Sequence, residues 1–264
     1  MIEAFSGAAR RLFRTVRRWE AGRERTPRSP GRTLMWGYGM QVEYPDRLIW
    51  LHQFLDIFST DFYNVRSLPE DARVIDGGAN IGMFTLYVLW RKPNAHIVAV
   101  EPDSGNIEYL RRNISGKKDA SVSIVHAALG AENGRTTLLG GESDAFRTTE
   151  SEKGDVEVLP LRQFLDKPVH LLKLDIEGDE LKVLEAAGNA LENVERAVIE
   201  HHDYRGRPST LPRMLAVLQK AGFERYRIGH NIEFGRPDPL LPSHCCLVEA
   251  WRPSSLSGFA RHGC

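Results

Sequence analysis

Cysteine is scarce in this chain: three in 264 residues, two of them adjacent (Cys245, Cys246) and the third at Cys264. Neither a disulfide framework nor a spaced zinc set can be built from that pattern. Such usage predicts a reducing compartment, the cytoplasm. Long apolar runs are missing too. Ile81 to Trp90 and Ile97 to Val100 fall far short of the roughly 20 residues of a membrane-spanning helix. No continuous apolar stretch follows the first charges, which argues against a secretory leader. An overall excess of one charge is also absent, since 35 Lys and Arg balance 35 Asp and Glu. What is present is ordinary for a globular protein, 42% hydrophobic and 27% charged, which excludes a disordered or fibrous chain. The length suits one large domain or two small ones and needs no covalent staples.

The neutral total hides an asymmetry. Residues 1–32 hold nine arginines against Glu3, Glu20 and Glu24, an excess of six positive charges, so the remainder carries six net negative charges. In that first segment Ile2, Phe5, Ala9, Leu12, Phe13, Val16 and Trp19 recur at helical spacing between the arginines. The expectation is a basic amphipathic helix, either docked by its apolar stripe or contacting an anionic lipid or other acidic surface. A net-negative remainder speaks against nucleic acid as a partner.

The rest divides by composition. Residues 33–70 read as an extended stretch and then a helix with Leu48, Leu51, Phe54, Leu55 and Phe58 on its apolar face, a cap or lid region. Residues 71–252 alternate short apolar strands with helices, and 253–264 form a tail. That alternation predicts an α/β fold, doubly wound on a mostly parallel sheet. A polar excursion over 130–154 reads as an antiparallel ribbon, and the last two strands, joined by a loop, as an antiparallel edge.

In such sheets ligands bind beyond the carboxyl ends of the strands. The first strand runs into Asp76-Gly77-Gly78-Ala79-Asn80-Ile81-Gly82. The dinucleotide fingerprint GxGxxG is lacking: the glycine order is GGxxxG. A carboxylate just before the turn disfavours a pyrophosphate and favours a cationic ligand with an amino group, such as S-adenosylmethionine (AdoMet). The second strand ends in Glu101-Pro102, 19 positions after Gly82, where an acid can accept both hydroxyls of a ribose. Two further strand ends carry chemistry. Asp175 and Glu177 close the strand before Gly178, and Glu200-His201-His202 closes the next. Acids at a buried strand end need donors, a cation or a task, and histidine there can serve as a general base or a ligand.

Four segments, VIDGGANIGMFT (74–85), VAVEPDSGNIEYLRRNI (98–114), LLKLDIEGDELKVLEAA (171–187) and AVIEHH (197–202), together resemble the FkbM family of AdoMet-dependent methyltransferases. The resemblance covers about residues 70 to 205. It implies a class I methyltransferase fold with a seven-stranded, Rossmann-like sheet, and O-methylation of a hydroxyl on a natural product (a polyketide, for instance), a sugar or a glycolipid. It further implies that Asp76, Gly78 and Asn80 hold the methionine end of AdoMet, with Gly77, Ala79 and Gly82 shaping the turn. Glu101, beside Pro102, would hold the ribose, and His126 and Ala127 would border the adenine. Asp175 and Glu177 would face the transfer centre. His202 matches the family's histidine and His201 is an extra, so the base is His202 or Asp175. A Mg2+ ion on Asp175, Glu177 and His202 would be an addition rather than an expectation. The rival readings are a binding or scaffold protein on the same fold and an NAD-linked oxidoreductase.

Overall fold

A computed structural model describes residues 30–35, 38–59, 61–116, 121–139, 147–150, 154–204, 206–233 and 242–253. The amphipathic helix expected within residues 1–29, the tip of the excursion at 140–146 and residues 254–264 lie outside the described residues.

Seven strands make the central sheet: β3 (Arg73–Gly77), β4 (His96–Glu101), β5 (Ser121–His126), β10 (Leu171–Leu174), β11 (Arg196–Asp203), β12 (Arg225–Glu233) and β13 (His244–Trp251). Their order is β12-β13-β11-β10-β3-β4-β5. The five strands from β11 to β5 are parallel, and β13 inserts antiparallel between β11 and β12. The antiparallel edge expected from the short last connection is therefore this β12–β13 pair. The chain turns back at the β3/β10 boundary, the switch point at which open α/β sheets bind ligands.

Strand alternation explains the two-sided core, because successive side chains point to opposite faces. Val74, Ile97, Ala99, Leu171, Val198 and Leu247 join one buried cluster with helices α2 (Met83–Arg91) and α3 (Ser104–Ile114). Ile75, Val100, Leu172, Leu174, Ala197, Ile199 and Val248 join the other, with α4 (Glu180–Ala187) and α5 (Leu211–Lys220). Runs such as Val74-Ile75 are apolar on both faces because both faces are covered. Among the described residues no helix is long and apolar enough to cross a membrane.

The region ahead of β3 packs against the cluster around α2. Strands β1 (Gly31–Met35) and β2 (Met40–Tyr44) pair as a hairpin. Helix α1 (Arg47–Phe54) then runs into a π-turn over Leu55–Ser59. Met35, Val42, Phe58, Tyr63 and Val65 enter the cluster shared with α2. Asn113 of α3 fastens the hairpin: its amide donates to Glu43 O at 3.0 Å and Ile81 O at 2.8 Å and accepts from Glu43 N at 2.7 Å. Arg196, buried at the start of β11, donates to the carbonyls of Tyr63 and Asn64 and to Ser67 Oγ. Five side-chain hydrogen bonds of this kind fasten the segment to α3 and β11.

The excursion forms a four-stranded sheet in the order β6-β9-β7-β8: β6 (Ala128–Gly130), β7 (Gly134–Leu139), β8 (Arg147–Glu150) and β9 (Val156–Pro160). Its β7–β8 and β7–β9 pairs are antiparallel, as expected, while β6 adds a parallel pair with β9.

Candidate active site

The glycine turn packs tightly on β10. At Gly78 the backbone has φ +77°, and a Cβ there would sit 1.8 Å from the carbonyl oxygen of Asp175. Only glycine permits that conformation and that approach. The amides of Gly78 and Ala79 both donate to Val100 O at 3.0 Å, so the turn is tied to β4 as well. Asp76, just before it, has no exposed surface. Its Oδ2 accepts from Thr85 Oγ1 at 2.7 Å, and its Oδ1 lies 3.2 Å from Lys173 Nζ. Lys173, inside the apolar run Leu171–Leu174, also donates to Gly78 O at 2.7 Å. Burial opposes the charge on Lys173, but Asp76 and Asp175 outweigh it and hold the ammonium pKa above its usual value.

Glu101 closes the next strand, and the surrounding turn converges on it. Its Oε2 accepts from Asn80 N at 2.8 Å, and its Oε1 from Asp103 N at 3.0 Å and Asn106 Nδ2 at 3.3 Å. Burial pushes its pKa up to about 7, and these three donors pull the other way. A carboxylate offers about four acceptor directions, so three donors leave it acceptor capacity toward a ligand hydroxyl.

The third group forms where β10 ends. Glu177 adopts φ +57°, uncommon for a residue with a side chain. Tyr204 OH donates to Glu177 O at 2.7 Å and the Tyr204 ring covers Gly178, holding the turn. From inside, Glu180 Oε1 accepts from Ile176 N at 3.3 Å and Gly178 N at 3.0 Å. The same oxygen lies 3.0 Å from His202 Nδ1. His202 Nε2 is thereby turned toward Glu177 Oε2 at 3.6 Å and Asp175 Oδ1 at 3.9 Å. Burial works against the imidazolium, but Glu177 and Glu180 outweigh it and raise its pKa well above the usual value. Burial and Glu200 push Asp175 up to about 7, against Lys173 and His202.

These groups surround one cleft, partly open to solvent. Gly78, Asn80, Glu101, Pro102, Ala127, Asp175 and Glu177 line it, all singled out from the sequence, joined by Asn106, Ile176 and Asp179 among others. The other sequence candidates stand outside it. Asp76, Gly77 and Ala79 are buried within the turn, Gly82 packs against Leu110, and His202 stands behind Glu177 and Asp175. His126, on the rung beside Glu101, is exposed and bonded to Pro102 O at 3.0 Å. His201 points to the opposite face from His202, where its Nε2 meets Thr210 Oγ1 at 2.8 Å ahead of α5. Burial lowers its pKa, and it anchors a helix start. Tyr204 acts on the Glu177 backbone and is not part of the cleft lining.

Two residues escaped the sequence reading: Glu180, which holds the histidine, and Lys173, which holds the turn. Lys173 had a signal, a charge at the centre of a four-residue buried strand. Glu180 had none beyond its place in the acidic run.

The cleft suits a cation. Among the described residues that line it are four carboxylates (Glu101, Asp175, Glu177, Asp179) and no Lys, Arg or His. That set fits AdoMet, a sulfonium carrying an amino group and a ribose, and opposes a pyrophosphate.

Comparison with known proteins agrees. The methyltransferase FkbM domain matches residues 76–225. Methyltransferase 1 of Beauveria bassiana (strain ARSEF 2860) is 28% identical over 198 residues, 64% of this chain and 78% of that protein. Methyltransferase sdnD of Sordaria araneosa is 29% identical over 213 residues, 65% of this chain and 81% of that one. In fold, the chain is similar to a SAM-dependent methyltransferase from Agrobacterium tumefaciens, with a TM-score of 0.52 at 10% identity, over 88% of this chain and 72% of that one. With the family match spanning more than half its length, this chain belongs to the FkbM family of AdoMet-dependent methyltransferases.

Proposed function

We propose that this protein methylates a hydroxyl oxygen of a natural product, sugar or glycolipid, with Asp175 receiving the hydroxyl proton. The observation that carries the reading is the placing of Asp175: it lines the cleft with 29% of its side chain exposed, while His202, at 4%, stands behind it. An acceptor oxygen can reach the first and not the second. In support, a carboxylate pKa near 7 suits general-base work at neutral pH.

Bound AdoMet supplies an electrophilic methyl group on a sulfonium. Glu101 would hold the ribose through its remaining acceptor capacity, Gly78 and Asn80 would hold the methionine end, and the backbone at Ala127 would border the adenine. Asp76 supports the turn from below. An aliphatic hydroxyl attacks well only as its proton leaves. Asp175 would take that proton as the hydroxyl oxygen accepts the methyl group, which the bound sulfonium would supply while becoming a neutral thioether. His202, protonated between Glu177 and Glu180, holds the acids in place. The acid lining repels phosphorylated acceptors, which argues against nucleic acid.

The test begins with calorimetric titration of AdoMet, S-adenosylhomocysteine and NAD, followed by methyl-labelled AdoMet with a panel of glycoside and polyketide alcohols. Binding of the first two, and label on oxygen, are the expected results. Asp175→Asn should lower turnover by about 10²–10⁴-fold, the typical contribution of a positioned base, with S-adenosylhomocysteine affinity kept. Label on nitrogen or carbon, or full turnover by Asp175→Asn, refutes the reading.

A further inference from the structure

Beneath the cleft, ionisable side chains of alternating charge follow one another: Asp76, Lys173, Asp175, His202, Glu180. Lys173 stands where this row meets the cofactor turn. Its ammonium donates to Gly78 O at 2.7 Å and lies 3.2 Å from Asp76 Oδ1 and 3.8 Å from Asp175 Oδ2. It is almost wholly buried and takes no part in lining the cleft.

A counter-ion for Asp76 would need only the second of those contacts. The first and third do something further. One rigid stem reaches the carbonyl of the residue that turns under the cofactor and the carboxylate placed at the transfer centre. The backbone repeats the link, since Asp175 N donates to Gly77 O at 3.0 Å. With Oδ2 drawn toward Lys173 and Oδ1 toward His202, the Asp175 carboxylate is held from two sides. We propose that Lys173 is a positioning residue for methyl transfer, which fastens the Gly78 turn and aims Asp175 as a single unit. The proposal rests on the reading of Asp175 given above.

The simple variant, Lys173→Met, leaves Asp76 buried without a cation and disfavours folding for that reason alone. Three variants avoid the ambiguity: Asp76→Asn, Asp76→Asn with Lys173→Met, and Asp175→Asn. Each is titrated calorimetrically with AdoMet and with S-adenosylhomocysteine, which differ by one positive charge at the sulfur. An aimed carboxylate at the transfer centre favours the charged ligand, so the ratio of the two affinities reports its position.

Wild type should prefer AdoMet, relative to Asp175→Asn, by about ten-fold, the scale of one charge-assisted contact. Asp76→Asn should keep that preference, because Lys173 still spans Gly78 and Asp175. The double variant should lose it and bind S-adenosylhomocysteine more weakly as well. If the folded double variant matches Asp76→Asn in both respects, Lys173 is only a counter-ion and the proposal is overturned. If wild type and Asp175→Asn show the same ratio, the placing of Asp175 falls and the proposal with it. Failure of wild type to bind either ligand would instead refute the cofactor reading.

Discussion

His202 and Glu180 form a buried pair, with Nδ1 3.0 Å from Oε1 and both side chains almost out of contact with solvent. An ionised carboxylate only accepts, so the imidazole donates from Nδ1 and presents Nε2 to Asp175 and Glu177. Burial raises the pKa of Glu180, yet His202 and the backbone donors outweigh it and hold the value below the usual range. The pair is thus ionised on both sides. Its geometry sets the third strand end, because the same oxygen also receives Ile176 N and Gly178 N.

Removing Glu180 should therefore cost more than a hydrogen bond. Glu180→Ala leaves a buried imidazolium and two backbone donors uncompensated, an expected loss of about 3–5 kcal/mol in urea unfolding. Glu180→Gln keeps an acceptor and should lose clearly less. Equal, small losses would mean that the acid does not hold the histidine.

Much of this site is legible in the sequence. Strand ends were readable because apolar runs such as Val74-Ile75 stop at acids, and acids there must be solvated, paired or used. Asp175 and Glu101 followed from that. Which acid faces the cleft was not readable, since it depends on a tertiary contact. Asp76 and Glu101 look alike in sequence, but Thr85 and Lys173 draw the first inward, while the second meets ligand space. The histidines show the same limit. Adjacent positions on a strand point to opposite faces, so only one of His201 and His202 could join the acids. Choosing between them needs the register with Glu180. The 33–70 region resisted for another reason: an apolar helical stripe is equally suited to a lid and to a docked helix, and only tertiary contacts, such as that of Phe58 with Tyr87, distinguish them.

The turn at Gly78 should tolerate no side chain. In Gly78→Ala the added carbon would meet the Asp175 carbonyl at 1.8 Å, and the backbone would still have φ +77°. Both strands would have to part. The expected outcome is loss of detectable S-adenosylhomocysteine binding in calorimetry. Gly178→Ala, whose added carbon meets the Tyr204 ring at 2.6 Å, should displace the Glu177 turn and leave the ribose subsite at Glu101 intact. Its cofactor affinity should consequently fall less. Normal affinity in Gly78→Ala would show that the turn does not receive the ligand.

Glu101 gives the ligand-free protein a pH dependence with a defined sign. Its pKa rises from the usual 4.5 to about 7 on folding, chiefly through burial. The folded state thus binds the proton more tightly than the unfolded state. The stabilisation this group contributes is complete below pH 4.5 and is lost as the pH rises through about 7. Glu101→Gln removes it, so the stability difference between wild type and variant should shift against wild type between those limits. The slope should reach at most about 1.4 kcal/mol per pH unit, that of one proton. Chemical denaturation of both proteins from pH 4 to 8 measures it, and parallel curves would show that Glu101 is not buried as described.

Asp175, Glu177 and His202 also have the donor types for a divalent ion, with ligand atoms within 4.8 Å of one another. The protein already supplies cations there. Lys173 Nζ is 3.8 Å from Asp175, and His202 Nε2 is 3.6 Å from Glu177. A metal would have to displace the proton that His202 holds between two acids, and metal binding competes with that proton. Turnover should accordingly be unchanged by EDTA and gain nothing from added Mg2+. Loss of activity in chelator, restored by Mg2+ or Mn2+, would make His202 a ligand and transfer the activation of the acceptor hydroxyl from Asp175 to the ion. The same experiment run on Glu180→Gln sharpens the distinction. If His202 serves as a protonated support, weakening its carboxylate partner leaves the indifference to chelator intact. If it serves as a ligand, losing the acid that orients it should lower the apparent metal affinity by about 10–100-fold.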